Sequence, residues 1–376
     1  MNITFFGTYD TRTTPRVRVL IDGLRARGVS VTECNVPLPV STSQRVAILR
    51  QPWRLPLFAA SILSCWVRLI GKARRLPPAD AVIIGHLGQF DIHLAHLLFR
   101  GKPLILDYMI SGSDTGRDRQ ISSGFKHRLL VRVDNAALGA ATTVVVDTEE
   151  HRQALPEKYR SKGVVVHVGA PRAWFDAARQ PDTPKKQTAD RPLRVVFFGV
   201  YTPLQGTPTI GAALSLLKKP VEVTMIGGGQ DLAAAKQAAS SKKHITSVTW
   251  TDWVEAAELP SIVAEHDVCL GIFGTGSKAR HVVPNKVYQG AAAGCAIVTA
   301  DTAPQRHVLG DAAVFVAAGD AQALATVLDD LAANHQRVRQ LRQAAYQRAR
   351  PDFTPRQVVT PLVQKMRFSR DLSDKH

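Results

Sequence analysis

The chain has 376 residues, enough for two domains with separate cores. A hydrophobic fraction of 45% and a charged fraction of 21% exclude the fibrous and low-complexity classes. The 48 Lys and Arg against 31 Asp and Glu give a net charge of +17, which favours anionic partners, while four scattered cysteines without a CxxC pair argue against a zinc site or a disulfide framework.

The opening MNITFFGTYD enters a strand-like run at once, without the basic region and longer apolar core of a secretory signal. No uninterrupted apolar stretch reaches the roughly 18 residues of a spanning helix. The expectation is therefore a cytoplasmic protein.

Short apolar runs then alternate with helical patterns, the mark of parallel sheets covered by helices. The first half predicts strands at Ile3–Phe6, Val29–Cys34, Ala81–Ile84, Pro103–Leu106, Thr143–Val146 and Val164–Val168. Between the first two, Val17, Leu20, Ile21 and Leu24 keep helical spacing and Gly28 marks the stop. One segment departs from this alternation. From Cys34 to Ala79 there are seven basic residues and no acidic one, and PLFAASILSCWVRLIGKARR joins an apolar run to a basic end. With Trp53, Phe58 and Trp66, residues 41–77 suit a helix lying on an anionic membrane surface, on the inner face for a cytoplasmic protein. The competing reading is a domain helix with a solvated basic end.

Residues 178–192, polar and rich in Pro, Lys and Asp, read as a linker between a domain at 1–177 and another at 193–350. The second half restarts with strands predicted at Leu193–Phe198, Val221–Ile226, Ser247–Trp250, Val268–Ile272, Ala296–Thr299 and Ala313–Val316. FFGTYD at 5–10 and FFGVYT at 197–202 are related openings, each a strand, a glycine and a polar loop. Neither half carries GxGxxG after its first strand, which argues against a nicotinamide or flavin dinucleotide. The tail at 351–376 ends as an amphipathic helix expected to cross back to the first domain.

The densest chemistry lies in LGIFGTGSKARHVVPNKVYQGAAAGCAIVTAD, residues 270–301. Lys278, Arg280, His281 and Lys286 fall within nine positions. Pro284 suits the start of a helix over Asn285–Ala293, whose N–H groups and positive dipole end would face those cations. That arrangement is an anion site, most simply a phosphate site. The plainer alternative is an ordinary βαβ crossover with a solvated basic loop.

FFGVYTPLQG, the MIGGGQDL run at 225–232 and the 270–301 stretch, taken in this order, resemble the GT-B fold glycosyltransferases, specifically the retaining enzymes of glycosyltransferase family 4. The resemblance spans essentially the whole chain and is strongest at 193–316. It implies an α/β architecture of two Rossmann-like, doubly wound parallel-sheet domains facing across a cleft. A nucleotide-sugar donor would bind mainly to the C-terminal domain and a hydroxyl acceptor mainly to the N-terminal one. It also implies transfer with retention and no cofactor or metal; the chain has no Asp-X-Asp to bridge a metal to a diphosphate.

Two glutamates that such enzymes carry eight positions apart are His281 and Gln289 here, with Gln289 suited to ribose hydroxyls. The Arg and Lys that follow the second FxG loop are Val200 and Gln205. Lys278 and Arg280 are therefore expected to supply the missing charge, with Asn285 at the helix start. Gly7 and Gly199 would allow close backbone approach, and Trp253 or Val254 would stand where the family stacks its base. On the acceptor side, His86 and Asp107 end predicted strands and suit proton transfer, and Tyr108 stands near a position where the family has a histidine. Arg12 and Arg16 in the first loop are candidates for a phosphate of donor or acceptor. An acceptor that is phosphorylated or lipid-linked, such as a cell-envelope glycan under assembly in polysaccharide biosynthesis, fits the basic first half.

Two other classes remain in view. A nucleotide-sugar epimerase would share the fold. Nucleic-acid binding is suggested by a pI near 10.1, but no recognition motif is present and the aromatics do not interleave with the basic residues, so no nucleic acid is expected.

Overall fold

The computed structural model describes residues 1–11, 14–39, 53, 55–85, 88–109, 124–178, 191–240 and 246–373. Arg12, His86, most of the 178–192 linker and residues 41–52 and 54 of the basic segment lie outside the described residues.

The chain divides into two compact units, one formed by Met1–His167 with Val358–His376, the other by Val168–Gln357. Residues 168–177 thus group with the second unit and not with the first. The first unit holds strands β1 (Asn2–Gly7), β2 (Ser30–Asn35), β3 (Ala81–Ile84), β4 (Leu104–Asp107), β5 (Thr143–Val146) and β6 (Gly163–Val165). They pair in parallel in the order β2-β1-β3-β4-β5-β6. Successive side chains fall into two cores. Phe6, Val82, Ile84, Leu104, Leu106, Val144 and Val146 pack on one face, and Ile3, Phe5, Ala81, Ile83, Ile105 and Val145 on the other. Burial on both faces explains why these strands read as unbroken apolar runs. Val17, Leu20, Ile21 and Leu24 of the helix Pro15–Ala26 close the second face together with Val358, Val359, Leu362, Val363 and Met366 of the tail. Arg27 donates to Thr360 Oγ1 and fastens the tail helix Thr360–Ser373 beside it.

The second unit holds β7 (Leu193–Phe198), β8 (Val221–Ile226), β9 (Thr246–Thr251), β10 (Val268–Leu270), β11 (Ala296–Ala300) and β12 (Ala313–Val316). Their order is β12-β11-β10-β7-β8-β9, again parallel throughout. Leu193, Val195, Phe197, Met225, Leu270 and Val298 meet Ile210, Leu214, Leu324 and Leu328 of the covering helices in one core. Both units are therefore doubly wound, Rossmann-like sheets, as the alternation predicts. Two predicted strands end earlier than expected. β10 stops before Gly271, where a side chain would run into Thr299, and β6 is confined to Gly163–Val165.

The helix Leu55–Ala73 corrects one expectation. By length and composition it qualifies to cross a membrane, with a mean hydropathy of 1.4. Counting only uninterrupted apolar residues misses it, because Arg68 and Lys72 break the run without lowering the average enough to matter. Cys65 and Leu69 are its buried residues.

Candidate functional site

In the first sheet β1 lies between β2 and β3, and in the second β7 lies between β8 and β10, so the strand order reverses beside the first strand of each. The crevice outside the carboxyl ends at such a point is where open α/β sheets bind ligands. In the second unit the point falls between β7 and β10, and the loops there are 199–206 and 271–284. Gly199 turns the chain after β7 at φ 137°, a backbone region that L side chains rarely adopt. The loops pack backbone to backbone: a side chain at Gly206 would strike Phe273 and Gly274, and one at Gly274 would strike Pro203 and Leu204. Phe273 N donates to Gln205 O at 3.0 Å.

Lys286 reaches into this corner from the helix Asn285–Ala292. Its Nζ donates to Gln205 Oε1 and stands 3.6 Å from the centroid of the Phe197 ring. A methyl group at Gly199 would lie 3.3 Å from the same nitrogen. Only 4% of Lys286 is exposed, and burial brings its pKa down from 10.5 to about 7. The cation set against the Gly199 turn is thus Lys286, not Lys278 or Arg280 as the sequence suggests. Those two sit in a short 3-10 turn, Ser277–Arg280, with Lys278 half-buried and Arg280 exposed. His281 closes that turn, its Nδ1 bonded to Ser277 O at 2.7 Å.

The helix itself starts at half-buried Asn285 after Pro284, with no side-chain cap and no acidic residue in its first turn. Its positive end is therefore not answered by a carboxylate of the first turn. Gln289, 6% exposed, lies one turn further along the same helix. Trp253, in the loop after β9, presents an indole that is 73% exposed. Cation, helix start and amide all come from one short element laid against a glycine turn, which is what a diphosphate needs.

The first unit repeats the turn with the opposite charge. Gly7 adopts φ 138°, and a methyl group there would lie 2.9 Å from Asp91 Oδ2. That oxygen accepts from Thr8 N at 2.7 Å and Thr8 Oγ1 at 2.8 Å, while Asp91 Oδ1 accepts from Trp66 Nε1 at 2.9 Å. Asp91 holds the loop and the helix together.

Arg16 and Asp107 do not stand where the sequence reading needs them. Arg16 is 1% and Asp107 2% exposed, and Arg16 Nε donates to Asp107 Oδ1 at 3.1 Å. Arg16 Nη1 also donates to Val166 O at 2.7 Å and His167 O at 2.8 Å. A guanidinium so enclosed ties its helix to β4 and to the end of β6 and has no exposed surface to offer a phosphate. Asp107, its partner, is withdrawn from solvent likewise, so the roles of phosphate ligand and proton acceptor are corrected to a buried ion pair.

Tyr108 instead lines a cavity of about 150 Å³ in the first unit, with Met109, Asp134, Asn135 and His151. His151 Nδ1 lies 2.5 Å from Asp147 Oδ1, an Asp–His pair at the end of β5 that sequence reasoning missed. Its signal is legible in VVVDTEEH: a strand end followed by a carboxylate and an imidazole one helical turn apart. The described residues contain no cluster of three or more His, Cys, Asp or Glu suited to a metal ion.

Two Rossmann-like units, the second with a basic helix start at its switch point, define the GT-B fold of glycosyltransferases. Comparison with known proteins agrees. Residues 226–364 match the family described as Glycosyl transferase-like. Among solved structures, sucrose-phosphate synthase from Thermosynechococcus elongatus is 13% identical with a TM-score of 0.71, covering 100% of this chain and 99% of its own. HepE of Anabaena, solved in complex with UDP-glucose, is 13% identical with a TM-score of 0.66 and full coverage of both chains. The trehalose 6-phosphate synthase of Burkholderia multivorans is 14% identical with a TM-score of 0.61, covering 99% of each. No curated protein matches the chain by sequence.

Proposed function

We propose that the protein is a retaining glycosyltransferase that moves a sugar from a nucleotide-sugar to a hydroxyl acceptor without a metal ion. The observation that carries this reading is the Lys286 ammonium, held against the Gly199 turn at the switch point and beside the start of its own helix. Charge develops on the donor diphosphate as the bond from its oxygen to the anomeric carbon breaks. Lys286 and the helix N–H groups would meet that charge, with Lys278 and Arg280 on the neighbouring turn as its outer cations. The acceptor oxygen bonds to the anomeric carbon on the face the diphosphate leaves, and its proton passes to the departing phosphate oxygen. Gln289 would bind the ribose and Trp253 would stack on the base.

HepE was solved with UDP-glucose, so a UDP-sugar is the first donor to test. The acceptor would enter the Tyr108–Asp134–His151 cavity, where the imidazole paired with Asp147 can orient a hydroxyl. The test is a thermal-shift series with UDP-, GDP- and dTDP-glucose, each with Mg²⁺ and with chelator. Stabilisation by one donor, equal in both conditions and lost in Lys286→Met, supports the reading. No stabilisation by any activated sugar rejects it, and dependence on Mg²⁺ rejects its metal-free part.

A further inference from the structure

We infer that the helix Leu55–Ala73 is a docking surface for an anionic lipid bilayer, lying along the membrane plane on its outward face.

The helix is apolar on both sides, yet among the described residues only one side has a protein partner. Cys65 and Leu69 are buried, and Trp66 and Ile70 pack against the same core. Trp66 also donates to Asp91 at 2.9 Å. These residues pin one face to the first unit, so the helix lies on its domain. The opposite face carries Leu57, Leu63 and Val67, exposed by 72%, 58% and 69%, with exposed Ala60 between them. A helix that is hydrophobic all round belongs inside a core or in lipid, and here half of it is uncovered by the described residues. Trp53, 71% exposed, stands just before the helix, a residue suited to the headgroup level.

Charge chooses the occupant. Exposed Arg68 and Lys72 lie in the last turns of the helix and exposed Arg74 and Arg75 directly follow it, and residues 34–79 contain seven basic and no acidic side chains. A second copy of the same face would bring like charges together, whereas a leaflet rich in anionic headgroups accepts the apolar stripe and the cations at once. The helix is about 28 Å long and its exposed stripe from Leu57 to Val67 about 15 Å, enough for shallow, parallel insertion. Through Asp91, docking would also fix the loop that follows Gly7, because Thr8 bonds to the carboxylate that holds Trp66.

The experiment is co-sedimentation of the full-length protein with phosphatidylcholine vesicles, with and without phosphatidylglycerol, at low and high salt. Wild type should pellet with the anionic vesicles and release as salt rises. Leu63→Glu with Val67→Glu should weaken binding about tenfold or more while the thermal unfolding midpoint stays put, since both positions are exposed. Arg74→Glu with Arg75→Glu, also exposed, should weaken binding and flatten its salt dependence. Failure of wild type to pellet with anionic vesicles would overturn the inference, as would unchanged binding by the Leu63/Val67 variant. A wild-type dimer in sedimentation velocity that the same variant converts to monomer, with no vesicle binding, would overturn it in favour of self-association.

Discussion

Lys286 holds its ammonium 3.6 Å from the centroid of the Phe197 ring, inside the corner where β7 turns at Gly199. An aromatic face attracts a cation, and Gln205 Oε1 accepts a hydrogen bond from the ammonium. The charge is thus held in one place with little water around it, where an anion gains most from it. Replacing Lys286 by methionine keeps the apolar stem and removes the charge. Turnover should fall about 100-fold or more, while stability holds or rises because a buried cation is no longer required. A steady-state assay with donor and acceptor, beside a urea titration, separates the two effects.

The ion pair of Arg16 and Asp107 gives the reverse pattern. Asp107→Leu leaves a buried guanidinium without its counter-charge and its Nε partner and should cost about 3–5 kcal/mol, read as a lower urea midpoint. Adding Arg16→Met should recover much of that loss, because the pair is then replaced by apolar packing. Arg16 Nη2 and Asp107 Oδ2 have no hydrogen-bond partner among the described residues, which limits what the pair contributes. A catalytic Asp107 would instead lose activity in the double variant with stability intact.

These two residues show where a linear reading fails. The edges of β7 and β8 are legible because LRVVFF and VEVTMI each follow a proline and end at a glycine. The corner at Gly199 is legible as a region, since Pro284-Asn285, Lys278, Arg280, Lys286 and His281 crowd into one stretch. Which cation enters is not. Lys286 occupies the first turn of its helix, and its direction is settled by how that helix crosses Gly199 and Gln205, eighty or more residues earlier in the chain. The same holds for Arg16, which reads as a loop cation until Asp107, Val166 and His167 are brought around it.

The two glycine turns invite a matched comparison. Gly7→Ala forces an L side chain to φ 138° and sets its methyl 2.9 Å from Asp91 Oδ2, disturbing the bonds to Thr8 and Trp66. Gly199→Ala suffers the same backbone strain, but its methyl meets the end of a flexible lysine at 3.3 Å. Each should lose about 1–3 kcal/mol in thermal or urea unfolding. Only Gly199→Ala should also weaken donor binding, because it displaces Lys286. Calorimetric titration with the stabilising nucleotide-sugar reads that difference.

The lowered pKa of Lys286 makes two linked predictions with a definite sign. Below about pH 7 both the folded protein and the unfolded chain carry the proton. Between about 7 and the ordinary lysine value of 10.5, the folded protein has released a proton that the unfolded chain still binds. Stability should therefore rise with pH across that window, by up to about 1.4 kcal/mol per unit from this group, and Lys286→Met should remove that slope. A diphosphate reverses the balance by favouring the ammonium. Donor binding at pH 8 should take up a fraction approaching one proton per molecule, and affinity should fall as pH climbs beyond 7. Calorimetry in buffers of differing ionisation enthalpy reads the uptake directly. Equal heats in all buffers, after correction for the ligand's own titration, would mean that Lys286 is already charged in the unliganded protein.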